Sequence, residues 1–355
     1  MSIKLIEDLS NAFGVSGFET EVAEVAKDYL DGQWLDRQDK MGNLYFNQAE
    51  KKTDKLHVLL DAHLDEVGFI VQAIRPNGML DFLPVGGWVT SNVPAHSFII
   101  KTESGDKVKA ISASTPPHFM SEKERNAPLN MEDIVLDVGA CSREEVQNLG
   151  INIGDPVVPD VNFQTLQEGQ LLLGKAFDCR IGCACLLDSF KTYQEAPTND
   201  QVHLSAVLTT QEEIGLRGAT LAAKTIQADL AIVFEGCPAD DSFSADYKIQ
   251  TGFKRGPMLR DFDVSMVTHP NFQKLALELA QQEGIKVQRA VRKGGGTNGA
   301  AYHLSGNGIP TIVVGIPVRY AHSHYGYVAH EDYLAAKELV LKLIDNLTLD
   351  TYNQL

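Results

Sequence analysis

Four short, mostly apolar runs set the rhythm of the chain, at residues 56–60, 202–208, 230–234 and 311–314. Each has the length and composition of a buried strand. Helices are predicted over residues 3–13, 19–30, 181–193, 218–226, 271–282 and 331–346. In the second of these, Val22, Val25, Ala26 and Tyr29 recur at helical spacing. A turn and strand fit residues 41–46, and another strand fits 285–290. The pattern changes between residues 71 and 160, where short alternating runs at 98–100, 108–111 and 134–136 are separated by turn signals such as Pro76-Asn77-Gly78 and Ser104-Gly105-Asp106. Apart from a helix at 142–149, this stretch reads as β structure. The prediction is an α/β domain in two parts, residues 1–70 and 164–355, interrupted by a β-barrel-like domain at 71–163.

Charge narrows the choice of partners. A net charge of -16 and a pI near 5.0 argue against nucleic acid or an anionic membrane, and suit a protein that gathers cations. No apolar stretch approaches a membrane span, and residues 1–11 lack the apolar core of a signal peptide, so a cytoplasmic protein is expected. The five cysteines are odd in number, which disfavours a disulfide framework. Cys179, Cys183 and Cys185 lack paired Cys-x-x-Cys spacing and read as small residues of a buried helix.

The apolar runs end at residues that bind metals. The first leads to His63, the second to Glu212-Glu213, the third to Glu235, and the fourth to Arg319-Tyr320-Ala321-His322-Ser323-His324. A fifth piece, Phe177-Asp178-Cys179-Arg180, precedes a helix. Taken singly, the glutamate pair reads as a solvated loop end, Asp178 as a helix cap, and either histidine as a structural residue. Taken together they lie where ligands bind in open α/β sheets, beyond the carboxyl ends of the strands. His63, Asp178, Glu213, Glu235 and His322 supply two imidazoles and three carboxylates, a donor set for two hard or borderline divalent ions. Glu212 is then free to take a proton from water as general base. Asp65, two residues after His63, is placed to hold the other nitrogen of that imidazole.

In this order the residues resemble the cocatalytic metallo-aminopeptidases, the family of bacterial glutamyl aminopeptidase, the deblocking aminopeptidases and the tetrahedral self-compartmentalising aminopeptidases. The resemblance spans most of the chain. It is carried by Ala62-His63-Leu64-Asp65-Glu66-Val67-Gly68, Lys175-Ala176-Phe177-Asp178-Cys179-Arg180, Gln211-Glu212-Glu213-Ile214-Gly215-Leu216-Arg217-Gly218-Ala219, Gly294-Gly295-Gly296-Thr297 and Arg319-Tyr320-Ala321-His322-Ser323-His324. It implies a central mixed sheet flanked by helices, with the β domain inserted to serve assembly. It also implies two divalent metals, zinc or cobalt foremost and manganese as an alternative. Asp178 would bridge them, with His63 and Glu235 on one side, Glu213 and His322 on the other, and Glu212 as base. A homo-oligomer is expected, either a dodecameric cage or a dimer. Three positions depart from the family pattern: Cys179 stands where Asn is usual, Glu235 where Asp is, and Asn298 where Asp is.

The expected reaction is removal of the first residue of a short peptide. A deacylase or amidohydrolase acting on N-acyl amino acids or other small amides could use the same site, and dependence on a free α-amine separates the two. A non-catalytic assembly protein would not need the complete set of ligands and base. Arg255, Arg292 and Lys293 could favour acidic substrates, but read more simply as solvated surface charges.

Overall fold

The computed structural model describes residues 2–48 and 54–355. Eight strands form one mixed sheet, in the order Leu35–Gln38, Leu44–Phe46, Val202–Thr209, Leu56–His63, Leu230–Pro238, Thr311–Val318, Met258–Phe262 and Gln288–Val291. The four strands from Val202–Thr209 to Thr311–Val318 run parallel. Antiparallel partners flank them at Leu44–Phe46 and Met258–Phe262. The parallel centre is buried because helices cover both of its faces. On one face Val58, Leu60, Leu204, Ile232 and Phe234 pack with Leu5, Leu186, Phe190 and Leu339, which come from the helices Ser2–Asn11, Phe177–Glu195 and His330–Asn346. On the other, Leu59, Val207, Val233 and Val313 pack with Ala219, Ala222 and Tyr302. Alternate residues of a strand point to opposite faces, so Val58 and Leu60 separate from Leu59. Truncating a core leucine such as Leu60 to Ala would cost about 2–5 kcal/mol.

Six further strands, between Gly68 and Pro159, close into a barrel in the order Gly68–Ile74, Leu80–Val85, Val135–Asp137, Lys107–Ala113, Ser97–Lys101 and Pro156–Pro159. Its core holds Phe69, Phe82, Phe98, Ile100, Leu136 and Val157. A small sheet of Gln164–Leu166, Leu171–Gly174 and Gly326–Ala329 joins the chain leaving the barrel to the segment after His322. No helix among the described residues is long and apolar enough to cross a membrane. All five cysteines are free thiols.

The elements differ from expectation mainly at their ends. The strand Leu230–Pro238 continues through Glu235, because Val318, Pro317 and Ile316 run alongside it. The helix predicted from residue 181 starts at Phe177. The strand Met258–Phe262 was hidden by Arg260 and Asp261, which break the apolar pattern. Arg260 is buried there because Asp263 Oδ2 accepts from it at 3.0 Å.

Candidate active site

The register of the parallel strands sets the site. Thr209 lies opposite His63, so the turn carrying Glu212 and Glu213 emerges beside that histidine. Asn43 pins the turn, its Oδ1 accepting from the Thr210 amide at 2.9 Å. Glu235 enters from the neighbouring strand. Gly236 lets that strand press against the start of the helix Phe177–Glu195, where a Cβ would fall 2.3 Å from the Phe177 carbonyl and 2.7 Å from Asp178 Cα. A buried ion triad ties the same helix to the chain just past His63. Glu66 Oε1 lies 2.5 Å from Lys175 Nζ and 3.0 Å from Arg180 Nη2, and Arg180 Nε donates to the Leu64 carbonyl at 2.7 Å.

Asp178 is central. Its Oδ1 lies 3.3 Å from His63 Nε2, and its Oδ2 lies 3.4 Å from His322 Nε2. Glu235 Oε1 is 3.3 Å from His63 Nε2, and Glu213 Oε2 is 3.2 Å from His322 Nε2. Glu212 stands slightly back, with Oε2 3.9 Å from His63 Nε2. On the far side of the imidazole, Asp65 Oδ1 is 3.3 Å from His63 Nδ1. Asp65 is itself held by three donors: Ser16 Oγ at 2.6 Å and the amides of Glu212 and Glu213 at 2.9 and 3.1 Å. One buried carboxylate thus lies against the histidine at ion-pair distance and holds the glutamate turn by two amide hydrogen bonds. All seven predicted site residues meet in this cluster. Asp178 does not cap its helix; its backbone is non-helical (φ -85°, ψ 102°), which turns the carboxylate toward the histidines.

Electrostatics favour a cation here. Burial raises Glu212 well above the ordinary glutamate range, and the carboxylates of Glu235, Glu213 and Asp65 add to the rise although His63 opposes it. Burial also raises Glu213, to about 7. Burial would raise Asp178 too, but hydrogen bonds to His322 and His63 outweigh it and hold the carboxyl well below its usual range. His322 moves the other way: burial works against its charge, yet Asp178 and Glu213 push it up to about 11. Crowded carboxylates thus demand positive charge, which protons on the histidines supply when no metal does. Glu213 Oε1 is buried without a hydrogen-bond partner. Among the described residues, three groups of potential ligand atoms lie mutually within 4.8 Å: His63, Cys179 and Glu235; His63, Glu212 and Glu213; and Asp178, Glu213 and His322. This donor set fits divalent metal.

Further residues support or border the cluster, and of these Asp61 and Tyr302 carry no signal in the sequence. Asp61, inside the strand Leu56–His63, accepts from Tyr302 Oη and Asn298 Nδ2, each at 2.8 Å. Asn298, the residue at a family Asp position, therefore serves as a donor within a buried network. Gly87 comes from the barrel: a Cβ there would lie 3.2 Å from His322 Nδ1, so this loop abuts the site without offering a ligand. The cluster opens into a cleft of about 600 Å³ walled by Gly294–Gly296, Arg260 and Arg292. Arg292 is thus no free surface charge. It faces the cleft and pairs with Asp240 at 2.9 Å. Lys293 is exposed, and Arg255 lines a separate hollow beside Lys254 and Lys286.

A mixed sheet with its donors at and near the carboxyl ends of its parallel strands, carrying a small barrel, is a fold shared with solved aminopeptidases, and the family match makes the chain a hydrolase acting on peptide bonds. The chain belongs to the M42 glutamyl aminopeptidase family, whose model matches residues 42–339. It is an aminopeptidase of that metal-dependent family. It is 32% identical over 357 aligned positions to the putative aminopeptidase FrvX of Escherichia coli, covering 99% of this chain and 98% of that one. The TET aminopeptidase of a marine sediment archaeon, Thaumarchaeota archaeon SCGC AB-539-E09, superposes with a TM-score of 0.94 at 35% identity, covering 99% of each chain. The TET1 peptidase of Pyrococcus horikoshii, which can assemble into a tetrahedron or a large octahedral shell, gives 0.85 at 25% identity, covering 98% of this chain and 100% of that one.

Proposed function

We propose that the chain removes the N-terminal residue from short peptides at a site for two divalent metals, zinc or cobalt by preference. The observation that carries this is Asp178, whose two oxygens face two different histidines at 3.3 and 3.4 Å, each histidine with its own glutamate. Asp178 would bridge. His63 and Glu235 would complete one position, and Glu213 and His322 the other. Metals bound there supply Lewis acidity, polarising the scissile carbonyl and acidifying water. Glu212, near the cluster but outside its shortest contacts, takes the proton from the attacking water and passes it to the leaving amine. Asp65 holds the His63 imidazole through Nδ1, leaving Nε2 for the metal. Gly294–Gly296 and Arg260 line the cleft in which the first side chain would sit.

The test is a panel of aminoacyl-nitroanilides, short peptides and their N-acetylated forms, assayed with metal-stripped protein and then with Zn²⁺, Co²⁺ or Mn²⁺ restored. Stripping should abolish hydrolysis and restoration should return it, with free-amine substrates alone accepted. Turnover of the acetylated forms would favour a deacylase, and full activity without metal would remove the two-metal reading.

The assemblies formed by the Pyrococcus horikoshii relative support a closed homo-oligomer for this chain as well, with the barrel serving assembly. Confinement would restrict the site to short or unfolded chains. Light scattering should give a particle of many subunits, and the rate should fall sharply from peptides to folded proteins. A dimer that trims folded proteins as fast as tripeptides would end this reading and leave the chemistry untouched.

A further inference from the structure

One thiol stands among the oxygen and nitrogen donors. Cys179 is fully buried, and its Sγ, a His63 ring nitrogen and a Glu235 carboxylate oxygen all lie within 4.8 Å of one another. Two features aim it there. The backbone at Asp178 and Cys179 is non-helical, at φ -85°, ψ 102° and φ -114°, ψ 30°, so both side chains are directed into the cluster. Gly182, one turn on, leaves room for the sulfur: a Cβ at 182 would lie 2.4 Å from Cys179 Sγ and 3.3 Å from the Glu235 amide. The other buried thiols sit differently. Cys183 donates to the His63 carbonyl at 2.9 Å, Cys185 lies 4.0 Å from the Tyr333 carbonyl, and Cys237 packs with Met258 and Ala290. Cys179 also has a carbonyl in reach, donating to Phe234 at 3.4 Å, but among the described residues it alone of the thiols shares a cluster with both an imidazole and a carboxylate.

Building on the two-metal reading, we infer that Cys179 joins His63, Asp178 and Glu235 as a sulfur ligand, making the two metal positions chemically unequal. On metal binding the thiol gives its proton to solvent and the sulfur binds the ion as thiolate. The position at Glu213 and His322 keeps only oxygen and nitrogen donors. A thiolate selects softer ions such as zinc, cadmium or cobalt over manganese and magnesium. The sulfur-bearing position should therefore hold zinc or cobalt firmly, and the other should exchange more freely.

The test is spectroscopic and uses the full chain. Metal-stripped protein is titrated with Co²⁺ while bound metal is counted and the near-ultraviolet and visible spectra are recorded. The expected result is a thiolate-to-cobalt charge-transfer band that saturates with one of two bound ions. Cys179→Ser and Cys179→Asn should lose that band while still binding cobalt. Cadmium NMR of the wild-type chain should give one signal in the sulfur-bound range and one in the oxygen and nitrogen range, a readout that needs no variant to fold. Two bound cobalt ions with visible bands and no charge-transfer band would overturn the sulfur ligand and leave the two-metal site standing. A band that persists in both variants would place the sulfur elsewhere and likewise overturn it. Failure to bind any cobalt would remove both readings.

Discussion

The central sheet and the barrel treat polar residues in opposite ways. In the sheet, strands such as Leu56–His63 and Thr311–Val318 are buried along their whole length because helices pack on both faces. The donor set gathers toward the carboxyl ends of such strands, where His63, Glu212, Glu213 and His322 collect and Glu235 enters from within the strand Leu230–Pro238. The barrel has one dry side. Phe69, Val71, Phe98 and Ile100 point inward, while Gln72, Lys107 and Lys109 face out, so its polar residues spread over an outer surface. Its loop at Gly86 and Gly87 abuts Glu213 and His322, and it brings backbone rather than ligands. Covering both faces of a sheet concentrates chemistry at one edge; leaving one face open distributes it.

The sharpest way to break this contrast is to change the adjacent glutamates at one strand end. With the roles proposed above, Glu212→Gln should lower kcat by on the order of 10²–10⁴-fold with bound metal retained, because it would remove the base and no ligand. Glu213→Gln should instead lose metal, since its Oε2 is the carboxylate oxygen 3.2 Å from His322 Nε2. Metal analysis of the purified variants checks the pair. The opposite outcome would exchange their roles.

The same contrast explains what was legible in the sequence. Strands buried on both faces leave unbroken apolar runs, and the donors that follow them stand out as a set, so His63, Glu212 and Glu213 are legible together although each alone reads as structural or solvated. Asp178 was harder, because an acid before a helix has a simpler use as a cap; only the backbone at residues 178–179 shows where it points. Asp61 lay hidden inside an apolar run, since a buried strand acid reveals itself only through partners such as Tyr302 and Asn298, which are far away in sequence. Ser16 likewise comes from a distant turn. Arg260 was missed for the reverse reason, because a charge in a short strand erased the strand's own signal.

Arg260 also offers a smaller test, as a strand-interior side chain that faces the cleft. Its Nε is buried without a partner, while its other end is held by Asp263. A hydrogen bond to an acidic first residue would add about 1.5–3 kcal/mol, reduced here because Asp263 already offsets the charge. Arg260→Met should therefore lower the kcat/KM ratio of glutamyl over alanyl nitroanilide by about tenfold. An unchanged ratio would remove Arg260 from substrate selection.

The smallest effect lies where the two regions meet. Glu21, on the helix Thr20–Tyr29 of the α/β domain, accepts from the barrel residues Lys101 and Lys107, each at 2.8 Å, and from the Phe13 amide at 3.2 Å. Partial burial would raise its pKa, but the two lysines outweigh this and lower it from 4.5 to about 2. A depressed carboxylate pKa stabilises the fold fully above the unfolded value, and that contribution fades as pH falls through the folded value. The clamp should therefore act in full above about pH 5 and weaken as the pH drops from 4.5 toward 2. Because the groups are partly exposed, Glu21→Gln should cost roughly 1 kcal/mol, which is a melting-temperature change of about 2 °C or less in a chain of this size. Melting curves of both proteins across this range should show a constant gap near neutrality that closes in acid. Peptide hydrolysis at pH 7 should stay unchanged, because the clamp lies outside the strand-end cluster. A large loss of activity in Glu21→Gln would mean that barrel placement governs the site, and the separation of roles between the two regions would have to be given up.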